Sequence, residues 1–256
     1  MTYLLNWLLW VETMLEFVIC GEGPTDVCGN DAPLTVVIKS LLAKWYAEEV
    51  KFRPVSRAEL SNASKNVKPK RGAYVRGSKK PYPETRAVTA FAYCLAQQAQ
   101  NYSSDCGVIY FKDMDFSSNE NRDYFYEGLI AAMHLGFDKV GFRKGIPMVP
   151  KTRSESWMLC IVDKNAARES YDENLPGSDN SPKSGKKVLA TKLGCPEKEN
   201  YTRLSVRIEN YDWDNLSAPS FIFFKNRLHV VAASILHEPF PENLNLDNTK
   251  FHAIPA

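Results

Sequence analysis

Leu15-Glu16-Phe17-Val18-Ile19-Cys20, running into Gly21-Glu22-Gly23-Pro24-Thr25-Asp26, is the stretch on which the fold turns. A short apolar run with β-branched and aromatic members, closed by a glycine- and proline-punctuated turn, reads as a buried strand and the turn at its carboxyl end. The segment after it, about residues 33–49, repeats Pro33, Leu34, Val37, Ile38, Leu41, Leu42 and Trp45 at helical spacing. It predicts a helix, with Pro33 in the first turn and Asp31 as its cap. A second compact run, Gly107-Val108-Ile109-Tyr110-Phe111, ends in Lys112-Asp113-Met114-Asp115 and predicts another buried strand and its carboxyl end. Glu84–Gln100 reads as the helix that precedes it. Downstream, a helix opened by Ser118 or Asn119 runs through Leu135, Lys139–Phe142 forms a short strand, and a further helix surrounds Glu155-Ser156-Trp157-Met158-Leu159-Cys160-Ile161. Strands alternating with helices predict an α/β fold, a mainly parallel sheet flanked by helices.

The chain has 256 residues, 44% of them apolar and 24% charged, enough for a sizeable core. Residues 1–165 read as one α/β domain and residues 166–256 as a mostly helical C-terminal extension beginning with a polar connector. The net charge of +2 conceals an asymmetry. Residues 51–84 hold ten Lys or Arg against Glu59 and Glu84, a local excess of eight, which leaves the remainder at minus six. That basic stretch is poor in periodicity and reads as a long loop or short strands inserted into the domain. Six cysteines without CxxC spacing suit reduced thiols and a cytoplasmic protein. Met1–Trp10 is apolar but lacks a basic flank and is too short to span a bilayer, so neither a signal peptide nor a membrane anchor is expected. The first thirteen residues read as an N-terminal extension, with Met14 an alternative start.

Glu22 directly follows one strand and Asp113 and Asp115 directly follow another, and open parallel sheets place ligands at this edge. In a pleated strand end, positions 113 and 115 point to one side and can converge on one cation. An all-oxygen cluster favours Mg²⁺ or Mn²⁺ over zinc. Such an ion offsets phosphate charge and activates water for attack on a phosphodiester. Lys112, Lys151 and Arg153 stand near these carboxylates in sequence, either to neutralise a phosphate or to balance the local negative field. His134 sits in an apolar helical pattern and reads as packed. With no nucleophile elbow and no P-loop, serine-hydrolase and self-contained NTPase chemistry are disfavoured.

The Glu22-Gly23-Pro24-Thr25-Asp26 turn resembles the first motif of TOPRIM domains, and Asp113-Met114-Asp115 resembles their DxD motif. The likeness is nearest to the TOPRIM nucleases of the OLD (overcoming lysogenization defect) group and their small bacterial relatives. In those relatives a Glu-x-Trp-hydrophobic segment follows the DxD strand, and Glu155-Ser156-Trp157-Met158-Leu159 is similar to it. Pro219-Ser220-Phe221 with Phe224 is similar to their C-terminal region. The resemblance implies a TOPRIM-like sheet and a divalent-metal-dependent nuclease, in which Glu22 binds metal or acts as general base and Asp113 and Asp115 bind metal. It makes Asp26 and Glu155 additional ligands; on residue type alone, Asp26 is equally a helix-turn cap and Glu155 a surface residue.

Glu22 and Asp113 stand 91 positions apart, more than a minimal TOPRIM domain needs. The excess coincides with the basic stretch, whose Lys68, Lys70, Arg71, Arg76, Lys79 and Lys80 are expected to contact the phosphates of DNA or RNA. Because OLD-type modules are commonly coupled to ABC-type ATPases and this chain has no ATPase motif, the resemblance also implies a separate ATPase partner. An effector role in an anti-phage or toxin-like system follows by analogy, and a homo-oligomer stays open. The competing reading is a non-catalytic regulatory subunit of an ATPase complex that holds a structural ion.

Overall fold

In the computed structural model, which describes residues 14–23, 27, 31–67, 83–114, 122–163, 165, 175–176 and 180–240, strict alternation along two central strands builds the core. In β1 (Leu15–Cys20), Leu15, Phe17 and Ile19 face one layer of helices and Val18 and Cys20 the other. In β3 (Cys106–Phe111), Ile109 and Phe111 join the first set, and Cys106, Val108 and Tyr110 the second. Every residue of β3 is buried, as a strand covered on both faces must be.

The sheet has four strands in the order β2-β1-β3-β4, all parallel, with β2 at Val50–Pro54 and β4 at Gly145–Met148. The α/β fold and its parallel sheet are therefore as the sequence predicts. One face carries α1 (Pro33–Trp45), α5 (Ser154–Val162) and the C-terminal helices α6 (Gly185–Leu193), α7 (Asn200–Asn210) and α8 (Pro219–Leu236). The other carries α2 (Arg57–Ser64), α3 (Pro83–Tyr102) and α4 (Arg122–Asp138). The helical C-terminal part shares its core with the sheet: Phe221, Phe224, Leu228 and Ile235 of α8 belong to the same cluster as Leu15, Phe17 and Ile109.

On this face Trp157 is completely buried, edge-on to Phe221 at 5.1 Å between centroids and stacked with Phe224 at 5.9 Å. Its Nε1 donates to Ser220 Oγ at 3.0 Å, satisfying the indole's one polar group. Pro219-Ser220-Phe221 and the Glu-x-Trp segment, far apart in sequence, thus pack as one unit. On the opposite face α3 and α4 approach so closely that a Cβ on Gly136 would stand 2.5 Å from Thr89 O and 2.6 Å from Ala92 Cβ.

Several expected boundaries differ. The N-cap of α1 is Ala32, without a side-chain cap bond, so Asp31 lies one position too early to cap it. The helix stops at Trp45, where Tyr46 turns extended and its hydroxyl donates to His229 O. The basic stretch opens with the edge strand β2 and then an unforeseen helix, α2, held by a capping box: Glu59 N donates to Ser56 Oγ and Ser56 N to Glu59 Oε2.

The strand expected at Lys139–Phe142 is instead the stop of α4. Gly141 takes φ +67°, Phe142 N donates to Phe137 O, and the two rings pack together, a Schellman closure with its hydrophobic contact. The strand follows at Gly145–Met148, where Pro147 is tolerated because β4 is an edge. Along β4, residues 144, 146 and 148 turn their backbone towards β3, so Gly145 O points outward. That carbonyl accepts from Nε of Arg227 on α8 at 2.9 Å, and Arg143 O accepts from the same guanidinium, which is only 2% exposed. At the opposite border, Lys51 and Arg53 of β2 pair with Glu16, and Arg53 lies 3.4 Å over the Tyr102 ring.

Candidate functional site at the carboxyl ends of β1 and β3

The chain enters at β1, passes outward to β2 and then crosses back to β3 on the other side, so the strand order reverses between β1 and β3. A crevice opens outside the carboxyl ends of the strands at such a switch point. Glu22 and Lys112 stand there. The register pairs Cys20 with Tyr110, and the same offset carried two residues further sets Glu22 opposite Lys112. Lys112 Nζ donates to Glu22 Oε1 at 2.7 Å, with both side chains largely shielded from solvent.

Asp113 is one residue further on and follows the opposite phase. Its Oδ1 accepts from Ser154 N at 2.9 Å, the first backbone N–H of α5. The N-cap residue of α5, Arg153, makes no side-chain cap bond, so a carboxylate 41 residues away caps that helix instead and lies at the positive end of its dipole. Alternation therefore sends Glu22 and Lys112 towards α3 and Asp113 towards α5.

Glu155, in the first turn of α5, is 2% exposed, which excludes its surface reading. Its Oε1 accepts from the Tyr201 hydroxyl of α7 at 3.4 Å. Asp26, Asp115, Lys68, Lys70, Arg71, Arg76, Lys79 and Lys80 lie outside the described residues. Among the described residues no three His, Cys, Asp or Glu side chains are grouped to hold a metal ion. Lys151 pairs with Asp123 at 2.7 Å. His134 makes an edge contact with Phe137, in keeping with a packing role.

Beside the Glu22–Lys112 pair is a cavity of about 160 Å³ lined by Cys20, Gly21, Glu22, Arg57, Ala87, Val88, Phe91, Tyr110 and Lys112. Its floor is apolar and buried, and its charged groups sit at the rim. Burial, with Cys20 and Glu22 nearby, pushes the Tyr110 phenol well above its ordinary value, so it stays a neutral hydroxyl. Sequence reasoning gave Lys112 no partner and left Arg57 and Tyr110 out of the site. The 90-residue offset of the β1/β3 register places Lys112 and Tyr110 beside β1's end, whereas Arg57 arrives from α2 through the fold alone. Comparison with family models, with curated proteins and with solved structures finds no match for this chain.

Proposed function

We propose that this chain is a divalent-metal-dependent nuclease acting at the β1/β3 switch point on phosphodiester bonds of DNA or RNA. One observation carries the reading: carboxylates follow two adjacent central parallel strands where the strand order reverses, and a lysine stands 2.7 Å from one of them. The donor type suits Mg²⁺ or Mn²⁺, since Glu22 and Asp113 offer oxygen alone, and the ion would have to displace Lys112 from Glu22 or share that carboxylate with it. Glu22, Asp113 and Asp115 would hold the ion, with Asp26 and Glu155 as further ligands; because Glu22 and Asp113 leave their strands on opposite sides, an ion shared by them would sit above the strand ends and reach at least one of them through water. When bound there, it supplies charge neutralisation of the phosphate and activation of water.

The remaining work falls to the chain itself. Lys112 can exchange Glu22 for a phosphate oxygen without leaving the site, because its ammonium is held between the two strand ends. Asp113 fixes the start of α5, and with it Glu155, relative to β3. The basic residues from Lys68 to Lys80 would grip the backbone of the nucleic acid, making binding salt-sensitive and largely independent of sequence. We further propose a cytoplasmic effector of an anti-phage or toxin-like system working with a separate ABC-type ATPase. Among the described residues no helix is long and apolar enough to cross a membrane.

The test is a cleavage assay with Mg²⁺ or Mn²⁺ on plasmid, single-stranded DNA and total RNA, with and without the ATPase. Asp113→Asn is the decisive variant. It retains an oxygen to accept from Ser154 N and so keeps α5 capped, yet removes the charge a metal needs. Product lost in Asp113→Asn and Glu22→Gln, with folding intact, supports the nuclease; wild-type product from both overturns it.

A regulatory subunit is the second reading, favoured by the structural use of both carboxylates, Glu22 on Lys112 and Asp113 on α5. Protein that binds Mg²⁺ but turns over no nucleic acid, alone or with its partner, supports that reading instead.

A further inference from the structure

We propose that the cavity beside Glu22 and Lys112 is a receptor for one nucleoside monophosphate unit, its base in the apolar floor and its phosphate at the cationic rim. The role rests on the nuclease reading, in which this nucleotide adjoins the bond under attack; the binding itself does not.

The lining divides by chemistry. Cys20, Val88 and Tyr110 are 1%, 3% and 5% exposed and form a floor without a charge. Phe91 of α3 is half-buried in the wall and presents a ring on which a base can stack. The Tyr110 hydroxyl is the polar group set into that floor, able to donate to or accept from a base edge. A volume of about 160 Å³ suits a single planar ring system. Drug-sized ligands occupy clefts of roughly 300–1,000 Å³. The sugar and phosphate must then lie at the mouth.

The mouth carries two cations against one carboxylate. Glu22 and Lys112 neutralise each other across 2.7 Å, so the exposed Arg57 at the start of α2 leaves the rim positive. A planar guanidinium is suited to bidentate contact with a phosphate. An apolar floor discriminates against inorganic phosphate alone, and a positive rim with so little volume discriminates against an acyl chain. The position agrees: the cavity opens at the strand-order reversal, where doubly wound sheets take nucleotides.

Two sources present the same chemistry, a free mononucleotide and the terminal nucleotide of a strand. Calorimetry on the full chain in EDTA separates them, titrating AMP, GMP, CMP, UMP, adenosine, inorganic phosphate and a 5′-phosphorylated tetranucleotide. At least one monophosphate should bind saturably, with the matching nucleoside and inorganic phosphate each weaker by about tenfold or more. Ala87→Trp, at an exposed helix position, fills the cavity and should weaken binding by about tenfold or more. Arg57→Gln should erase the advantage of the monophosphate over the nucleoside.

Equal affinity for monophosphate and tetranucleotide identifies a free nucleotide as the ligand, and tighter tetranucleotide binding identifies a strand end; either supports the pocket. No saturable nucleotide binding, binding unchanged in a folded Ala87→Trp, or inorganic phosphate binding as tightly as AMP overturns it. Metal-dependent cleavage without nucleotide binding removes this pocket alone, whereas nucleotide binding without cleavage removes the nuclease reading and leaves the pocket standing.

Discussion

The two faces of the sheet are filled by different means. Against α1, α5 and α8 the space is filled by rings, with Trp157, Trp213, Phe221 and Phe224 in mutual contact and both indoles hydrogen-bonded. Against α2, α3 and α4 the core mixes the alanines of α3 with Leu95, Phe125, Leu129, Met133 and Phe137, and the seam between α3 and α4 closes up where Gly136 meets Thr89, Ala92 and Tyr93. The aromatic face joins segments remote in sequence, so large side chains bridge short helices that no local connection aligns. The second face joins neighbours around one strand, and at Gly136 close backbone approach replaces side-chain bulk. The strand ends inherit this division, since Glu22 and Lys112 belong to the second face and Asp113 to the first. Whatever the site holds, its geometry depends on both packings at once.

The largest way to break the contrast is Trp157→Ala, which empties the centre of the ring cluster and removes the indole donor from Ser220 Oγ. It should cost about 3–5 kcal/mol, read as a lower urea midpoint. Gly136→Val attacks the opposite face and should cost about 3 kcal/mol through overpacking. Adding Ala92→Gly should restore little of it, because Thr89 O and Tyr93 N, both backbone, also stand within 3 Å of the new Cβ. Full rescue by that second change would show that the seam is set by side chains and undo the distinction.

Asp113 tests the strand end itself. Asp113→Ala should lose about 1 kcal/mol with its cap, whereas Asp113→Asn should stay near wild type in the same urea titration. The smallest effect is a pH dependence on the aromatic face, where His229 of α8 stacks on Trp45 at 4.2 Å. Burial holds its imidazole below the ordinary value, so as pH falls the unfolded chain takes up the proton first. The stability contributed by neutral His229 is present above about pH 6.5 and lost as pH falls towards the folded-state value. His229→Gln should flatten the urea midpoint between pH 7.5 and pH 5; an unchanged slope would remove His229 as its source.

The sheet was legible because alternation and β-branched runs are local signals: β1, β3 and the helices beside them lie within a few residues of their expected bounds. Helix α2 was also legible in principle, through Ser56 and Glu59 at capping-box spacing, but the surrounding basic charge obscured it. Lys139–Phe142 misled because its apolar residues close a helix, and only the left-handed Gly141 says so. Carboxylates after strands could be picked out by eye. Their partners could not, because a strand's register is a property of two segments: slipping β1 by one residue against β3 would set Glu22 against Asp113 in place of Lys112.

Arg227 seals one border of the sheet by occupying the outward carbonyl of β4, while the border along β2 ends in charged side chains and Pro54. Among the described residues both borders therefore carry features that oppose edge-to-edge pairing. Growth of the sheet by further copies is opposed at either end, at β4 by an occupied carbonyl and at β2 by charge and a proline with no N–H to donate.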